Sequence, residues 1–115
     1  MSKDDKAYLH HILDSISNIE DFTEGIEENE FKSDELVQSA VIRQIEVIGE
    51  ATKQLSNKTR DEYLNIPWKD MAGMRDKLIH GYFGVDIDAV WNTIQRDIPK
   101  LKDDIEKVLE EEKTD

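Results

Sequence analysis

The sequence predicts an all-α fold, a four- to five-helix up-and-down bundle. Apolar residues recur at intervals of three and four positions along most of the chain, which is the period of a helix with one buried face. No segment shows the strict alternation of apolar and polar residues that is typical of a half-buried strand. The chain has 115 residues, enough for one domain. We therefore expect a single helical domain over residues 1–115, with an acidic tail at about residues 110–115.

The first two helices account for most of the apolar pattern. One helix is expected over residues 4–23, where five apolar residues share a face: Leu9, Ile12, Leu13, Ile16 and Ile19. Residues 24–32 are acidic and contain Gly25, so we expect a loop or a fraying helix end there. A second helix follows, with Ser33 or Asp34 as its N-cap, and runs to about residue 55. Its wide apolar arc predicts the most buried helix of the bundle: Leu36, Val37, Ala40, Val41, Ile45, Val47, Ile48, Ala51 and Leu55.

The second half of the chain is more irregular. Residues 56–66 are polar, with at most a short helical turn over residues 60–64. Pro67 suits the first turn of a third helix, because its missing N–H has no partner there in any case. That helix is expected over residues 68–80, with Gly81 as the left-handed residue that ends it.

The last helix is expected to begin at Asp86 or Asp88 as its N-cap. Its apolar stripe keeps the same phase on both sides of Pro99: Ile87, Val90 or Trp91, Ile94, Ile98, Leu101, Ile105 and Val108. A proline inside a helix usually kinks or breaks it. The unbroken stripe therefore predicts a kink, or two abutting helices in register, and no change of direction.

Composition excludes several classes of protein. The chain has no cysteine, so disulfide frameworks and thiolate metal sites are excluded. Its first residues lack the apolar core of a signal peptide, and no apolar run approaches the roughly 20 residues that span a bilayer. We therefore expect a cytoplasmic protein with no membrane partner. A chain of this size has a thin stability margin, which favours a homodimer.

The net charge of −12 opposes broad, non-specific binding of nucleic acid, because phosphate contacts need Lys and Arg. The acidic residues are concentrated at the two ends of the chain. Residues 36–84 hold 7 basic and 6 acidic side chains, so the middle of the chain is slightly basic. The total charge therefore does not exclude RNA as a partner.

One segment combines residue types that carry chemistry. Arg75, His80 and Tyr82 place a guanidinium, an imidazole and a phenol close together near a predicted helix end. On a continuous helix, Arg75 and Tyr82 would lie about 20° apart, whereas His80 would lie about 140° from Arg75. A rigid helix would not bring all three together. A helix that ends at Gly81 frees Tyr82, and His80 could instead meet Arg75 of another chain.

This combination suits the cleavage of RNA without a metal. The reaction needs a base for the 2′-hydroxyl, an acid for the leaving 5′-oxygen and a cation for the phosphorane. Histidine titrates near neutrality, and arginine offers a fixed fork to phosphate oxygens. One histidine cannot easily be base and acid in the same step, so a symmetric dimer with a second His80 fits the chemistry.

The segment resembles the HEPN superfamily, and its HepT branch most closely. The residues that carry the resemblance are the pattern R-D-x-x-x-H-x-Y at residues 75–82, and the flanking Ile66, Pro67, Trp68, Lys69, Gly73, Met74, Phe83, Gly84, Val85, Asp86 and Trp91. The resemblance implies a homodimeric helical bundle with a metal-independent endoribonuclease site that needs no cofactor. Arg75 and His80 match the catalytic positions, and Asp76 matches a supporting polar residue.

The same resemblance implies a biological context. HepT proteins are the toxins of type VII-like HepT/MntA toxin–antitoxin modules. Tyr82 matches the tyrosine that the partner MNT-type nucleotidyltransferase modifies with AMP to silence the toxin. The alternative is a non-catalytic dimeric module that binds a nucleotidyltransferase or a nucleotide.

Ordinary structural roles stay open for the same residues. Arg75 could pair with Asp70 or Asp76 on the surface, His80 could favour a helix end through its charge, and Tyr82 could be a core aromatic. Lys69 and Lys77 could line an RNA path or solvate a helix. His10 and His11 are adjacent, so they point about 100° apart on a helix and make a poor metal chelate. Trp68 and Trp91 fall within apolar stripes and are expected in the core or at a dimer contact.

Overall fold

The computed structural model describes residues 1–79 and 84–113, and these residues form an α-helical bundle, as predicted. A π-helical segment, Thr93–Asp97, joins the last two helices. The α-helices are α1 Lys3–Thr23, α2 Glu28–Ser33, α3 Glu35–Gln54, α4 Asn57–Glu62, α5 Trp68–Ala72, α6 Met74–Leu78, α7 Ile87–Asn92 and α8 Ile98–Lys113.

The long helices α1, α3 and α8 form the frame of the bundle. α1 packs along α3, and α8 packs against α1. The bounds of α1 and α3 confirm the predicted first and second helices, and Asp34 is the N-cap of α3, with a carboxylate oxygen that accepts the Val37 N–H at 3.1 Å. The frame completely buries one apolar face of each helix, including Leu9, Ile12, Ile16, Val41, Ile45, Ile48 and Ile105.

The predicted apolar arc of α3 is wider than the surface that the bundle covers. Leu36 is 80% exposed, and Val37, Ala40 and Val47 are half-buried. Nine of the twelve largest fully buried side chains lie outside α3, including Leu9, Ile12, Ile16 and Ile19 of α1. Among the three long helices, however, α3 has the smallest exposed share, with 7 of its 20 residues exposed against 11 of 21 in α1 and 8 of 16 in α8. The expectation that α3 is the most buried helix is therefore confirmed among the long helices, although one edge of its arc faces solvent.

The prediction of a loop or a fraying helix end over residues 24–32 is wrong for its second half, because α2 begins at Glu28. Only one of its side chains, Phe31, is buried, and it is completely buried against Trp91 at a ring-centroid distance of 5.3 Å. A helix with one apolar residue has no periodicity to read. The contact with Trp91, which lies far away in the sequence, therefore holds this helix in place.

The predicted third helix is divided and ends early. Gly73 separates α5 from α6, with its N–H donating to the Lys69 carbonyl at 3.1 Å. α6 ends at Leu78, and Ile79 is extended and forms an isolated antiparallel bridge with Val85. The prediction of one helix over residues 68–80 is wrong, because the chain leaves the helical conformation before His80. Gly81, the predicted helix end, lies outside the described residues.

Between α3 and α5, a short helix forms earlier than expected. α4 begins at Asn57, with Ser56 as its N-cap, so the turn predicted over residues 60–64 is displaced toward the N-terminus. The Ser56 side chain accepts the Thr59 N–H at 3.3 Å. A serine N-cap can therefore begin a short helix even where the segment has no apolar periodicity.

The last helical run abuts in register across Pro99, as predicted. Asp86 is the N-cap of α7, and its carboxylate accepts the Ala89 N–H at 3.0 Å. The π-helical segment lies immediately before α8, whose second residue is Pro99. Its wider turns accommodate a residue that has no N–H to donate. The apolar stripe therefore continues without a break through Ile94, Ile98, Leu101 and Ile105, which are all buried.

The acidic segment at the end of the chain is helical as far as Lys113, where α8 ends. Glu112 is buried, and one of its carboxylate oxygens accepts the Tyr63 hydroxyl at 2.8 Å. The other carboxylate oxygen lies 3.0 Å from the amino group of Met1. These contacts tie the last turn of α8 to the N-terminal amino group and to Tyr63, which follows α4.

Asp5 is a buried carboxylate that joins the start of α1 to the start of α4. It is 3% exposed and accepts the Ser56 N–H at 3.1 Å and the Thr59 hydroxyl at 2.6 Å. Burial alone would raise the pKa of Asp5, but the hydrogen bonds from Ser56 and Thr59 outweigh it and hold this pKa below its ordinary value. The folded state therefore stabilises the ionised carboxylate of Asp5.

This pKa predicts how stability depends on pH. Because Asp5 binds a proton less readily when folded, its contribution is present above its unfolded pKa of about 3.9 and is lost as the pH falls through the lower folded pKa. We expect Asp5→Asn to lower the free energy of unfolding by about 1–3 kcal/mol near pH 7. The free energy of unfolding of this variant should also fall less steeply as the pH is lowered. Urea denaturation at several pH values measures both effects. Asp4→Asn, an exposed neighbour, is the control, and an equal loss in that variant would contradict this role.

No helix in the described ranges has both the length and the apolar character that a bilayer span requires.

Candidate functional site

α3 and the junction of α5 with α6 approach each other closely enough to favour glycine at the crossing. A Cβ placed on Gly49 would lie 3.1 Å from the carbonyl oxygen of Ala72, a tighter approach than most Cβ atoms make. Gly49 is buried and Ala72 is half-buried at this crossing. The close approach brings the side chains of α3 within reach of Arg75, the first residue of the chemical segment.

Arg75 is held by Glu46 of α3. Its Nε lies 3.2 Å from a Glu46 carboxylate oxygen, whereas one terminal nitrogen lies 3.9 Å from the carboxylate of Asp76. The Arg75 side chain is 47% exposed, and Asp76 is 82% exposed. The close partner of Arg75 is therefore Glu46, with Asp76 as a distant second, and Asp70 pairs with Lys77 instead, at 3.4 Å.

A cleft of about 260 Å³ surrounds this ion pair. Three carboxylates and two cations line it together with the close helix crossing: Glu46, Gly49, Glu50, Lys53, Ala72, Arg75 and Asp76. Arginine carries five N–H donors in a planar fork. Because Glu46 engages Nε, the terminal nitrogens of Arg75 remain accessible to an anion such as a phosphate group. The cleft can therefore bind one anionic group at the Arg75 guanidinium. It is not suited to a ligand with many negative charges, because three carboxylates also line it.

His80 and Tyr82, the other two residues of the predicted cluster, lie outside the described residues. The described residues just before and just after this segment contact each other near the end of α6. The Asp86 N–H donates to the Leu78 carbonyl at 2.8 Å, and Ile79 bridges to Val85.

The two lysines expected beside the site differ in their surroundings. Lys77 forms an ion pair with Asp70 at 3.4 Å and lines a cavity of about 210 Å³ between the α5–α6 region and α8. Lys69 is exposed, and within residues 1–79 and 84–113 it has no ion-pair partner. Of the two, only Lys69 has a charge that no described carboxylate offsets.

The remaining residues singled out in the sequence take ordinary positions. Trp68 is buried, with its indole N–H donating to the Tyr63 carbonyl at 3.0 Å, and Trp91 is half-buried against Phe31. Both tryptophans are therefore core residues, as expected. His10 and His11 are both exposed on α1.

Glu46 is the site residue that the sequence analysis missed. It lies on a different helix, far from Arg75 in the sequence, and it has the appearance of an ordinary surface acid three residues after Arg43. Only the close crossing at Gly49 brings it to Arg75. A glycine inside a strongly apolar helix was the one available signal, because such a glycine often marks a close approach of another backbone.

Comparison with known protein families identifies the chain. The sequence model of the family described as "Ribonuclease HepT-like" matches residues 12–108, which include α3, α6 and the Arg75 cleft. The chain belongs to the HepT-like ribonuclease family. This result confirms the resemblance seen in the motif at residues 75–82.

Several curated proteins are similar to this HepT-like chain over nearly its whole length. A "Gamma-glutamylcyclotransferase and putative RNase" of Methanocaldococcus jannaschii is 51% identical over 111 residues, which are 96% of this chain. The chain spans 50% of the length of that relative. The "Probable ribonuclease HepT" of Thermococcus cleftensis is 47% identical over 108 residues, covering 94% of this chain and 98% of the relative. A "Putative RNase" of M. jannaschii is 44% identical over 109 residues, covering 94% of this chain and 100% of the relative.

Comparison with solved structures found no match to this HepT-like chain.

Proposed function

We propose that this chain is a metal-independent endoribonuclease that cleaves RNA at Arg75 and His80. The observation that carries the proposal is the Arg75 guanidinium, which is half-exposed in a cleft and held by Glu46 at 3.2 Å. Membership of a ribonuclease family makes RNA the substrate to test first. An accessible and fixed guanidinium suits a phosphate at which negative charge develops during reaction.

The proposed reaction is an internal transfer at phosphorus. A base removes the proton of the 2′-hydroxyl, whose oxygen forms a bond to the phosphorus. The bond from phosphorus to the 5′-oxygen breaks, and an acid protonates that oxygen. The products are a 2′,3′-cyclic phosphate and a free 5′-hydroxyl. In this scheme Arg75 stabilises the charge on the phosphorane, and His80 transfers a proton.

A homodimer completes this scheme. Two proton transfers occur in one reaction, and each chain supplies one His80 to the motif. A symmetric dimer would bring a second His80 to the same cleft, so that one imidazole acts as base and the other as acid.

Glu46 and Asp76 would support Arg75 in different ways. Glu46 engages Nε and so orients the plane of the guanidinium. Asp76 lies 3.9 Å from a terminal nitrogen, so it contributes through charge more than through a hydrogen bond. Lys69 would add a free positive charge along the RNA path, and Lys77 would do so only if RNA displaced Asp70.

We further propose that a partner protein regulates this chain, and the support for this is the resemblance of the motif at residues 75–82 to the HepT branch. We place this chain as the toxin of a type VII-like HepT/MntA module in the cytoplasm, with an MNT-type nucleotidyltransferase as the antitoxin that transfers AMP to Tyr82. The adduct would add a negative phosphodiester and a nucleotide two residues from His80. Its charge would compete with the substrate phosphate for Arg75, which explains how modification would silence cleavage.

A non-catalytic binding module is the second candidate, and one observation favours it. Glu46, Glu50 and Asp76 bring three carboxylates to the Arg75 cleft, and they offset the charge of Arg75 and Lys53. A site with one more carboxylate than cations binds a polyanion weakly. Under this candidate, the segment around Tyr82 would serve as a contact for the nucleotidyltransferase.

The first test compares the unmodified protein with His80→Ala. Protein produced without any nucleotidyltransferase is incubated with RNA, and turnover is measured. We expect His80→Ala to lower kcat by about 10²–10⁴-fold, which is the usual contribution of a general acid or base. His10→Ala, on exposed α1 surface, is the matched control and should retain full activity. If folded, dimeric protein without an AMP adduct cleaves no faster than His80→Ala, the binding module is favoured instead.

A further inference from the structure

A second groove lies between α1 and α3, next to the Arg75 cleft. It has a volume of about 260 Å³ and is lined by Tyr8, His11, Arg43, Val47, Glu50, Ala51 and Gln54. Val47 and Ala51 give it an apolar floor, while His11 and Arg43 are exposed at its sides. The proposed cleavage reaction does not use this groove.

The groove is continuous with the proposed reaction site. Glu50 lines both the groove and the Arg75 cleft. Glu46 bonds Arg75 at 3.2 Å and also lies 3.5 Å from a terminal nitrogen of Arg43. The two guanidinium groups therefore flank a single carboxylate, one at the cleft and the other at the groove.

The lining of the groove suits a flat ring with polar edges. Tyr8 and His11 form an edge-to-face ring pair, with centroids 6.2 Å apart and planes at 79°. Aromatic side chains bind unpaired nucleobases by stacking, and an apolar floor favours the same flat surface. The Gln54 amide and the Glu50 carboxylate can hydrogen-bond the polar edges of a base.

The charge beside the rings suits the phosphate attached to such a base. The Arg43 side chain is 69% exposed, and its contact with Glu46 is at the long end of ion-pair distances. It can therefore turn toward a phosphate at little cost. A nucleotide of single-stranded RNA presents both parts, a ring and a phosphate.

We infer that the α1–α3 groove binds one unpaired nucleobase of single-stranded RNA, with its phosphate at Arg43 and the scissile phosphate at Arg75. This inference rests on the proposed function, since the Arg75 cleft supplies the neighbouring phosphate position. It assigns a role to His11, while the adjacent His10 lies outside the groove. The enzyme therefore selects unpaired RNA, because a base in a duplex cannot enter the groove.

The test uses the two adjacent histidines as a matched pair. His11→Ala should raise KM for a single-stranded RNA about tenfold with kcat unchanged, since stacking contributes to binding and not to proton transfer. His11→Phe retains an aromatic ring and should retain the wild-type KM. His10→Ala should leave both constants unchanged, because His10 is exposed outside the groove. An unchanged KM in His11→Ala, or an equal rise in His10→Ala, would overturn the inference.

A second measurement separates this inference from the proposed function. RNA with a 2′-deoxy nucleotide at the cleavage position binds but cannot be cut, and its Kd is measured by fluorescence anisotropy. If wild-type protein binds this analogue and His11→Ala weakens binding about tenfold, the groove is supported even where cleavage fails. An abasic nucleotide is also placed at each position of the RNA in turn. At one position it should weaken binding by wild-type protein and leave binding by His11→Ala unchanged. Equal loss in both proteins at every position would overturn the inference.

Discussion

Replacing Arg75 with alanine is expected to lower kcat/KM for RNA by about 10³-fold. The guanidinium is an accessible cation of the proposed site, and loss of one group that stabilises developing charge typically has an effect of this size. Arg75→Lys retains the charge but not the planar fork, so we expect its activity to lie closer to the alanine variant than to wild type. Steady-state cleavage of a fluorogenic RNA measures all three proteins.

The same substitution should leave the fold intact. Arg75 is 47% exposed, and its one close ion-pair partner among the described residues is Glu46, so we expect the free energy of unfolding to change by no more than about 0.5 kcal/mol. Arg96→Ala, an exposed arginine of the π-helical segment, is the matched control and should leave both activity and stability unchanged. An Arg75→Ala protein that keeps more than a tenth of wild-type activity would contradict the proposed role of this residue.

Replacing Phe31 with alanine is expected to lower the free energy of unfolding by about 3–5 kcal/mol. The ring is completely buried and packs against Trp91 at 5.3 Å, so its removal leaves a cavity between α2 and α7. A domain of this size has a small total stability, so this loss would shift the midpoint of urea denaturation strongly. Phe31→Leu should lower the free energy of unfolding by less, so the effect can still be measured if the alanine variant does not fold.

Phe22→Ala is the matched control for this prediction. Phe22 lies on α1 and is 38% exposed, so it has less buried surface to lose. We expect its effect to be well below that of Phe31→Ala. Equal losses in the two variants would contradict the assignment of Phe31 to a tertiary clamp that holds α2 in place.

The sequence predicted those parts of the fold whose signals are local. The apolar periodicity of α1 and α3 appears within each helix, and Asp34 and Asp86 cap helices through hydrogen bonds to residues three positions away. The stripe across Pro99 keeps its phase, which was enough to predict a kink or two abutting helices in place of a turn. In each case the residues that form the interaction are neighbours in the sequence.

The sequence did not predict the features that depend on tertiary contacts. α2 has no periodicity and depends on the packing of Phe31 against Trp91. The third helix divides at Gly73 and ends at Leu78, where Ile79 pairs with Val85 instead of continuing the helix. Propensity alone favoured a continuous helix there, because no proline or cluster of turn residues marks Ile79.

The candidate site divides in the same way. Arg75 and Asp76 were found from a motif that is contiguous in the sequence, whereas the partnership of Arg75 with Glu46 depends on the helix crossing at Gly49. The groove between α1 and α3 depends on the same packing of two helices that are far apart in the sequence. The motif therefore predicts which residues are candidates for the chemistry, and the fold determines what holds Arg75.

The central claim is that Arg75 and His80 cleave RNA without a metal ion, and the chemistry of the product ends tests it most directly. Unmodified protein is incubated with end-labelled RNA in excess EDTA, and the termini of the fragments are identified by mass spectrometry. Our account predicts 2′,3′-cyclic phosphate and 5′-hydroxyl ends, formed at the same rate with and without EDTA. Fragments with 5′-phosphate and 3′-hydroxyl ends, or cleavage that EDTA abolishes, would contradict it.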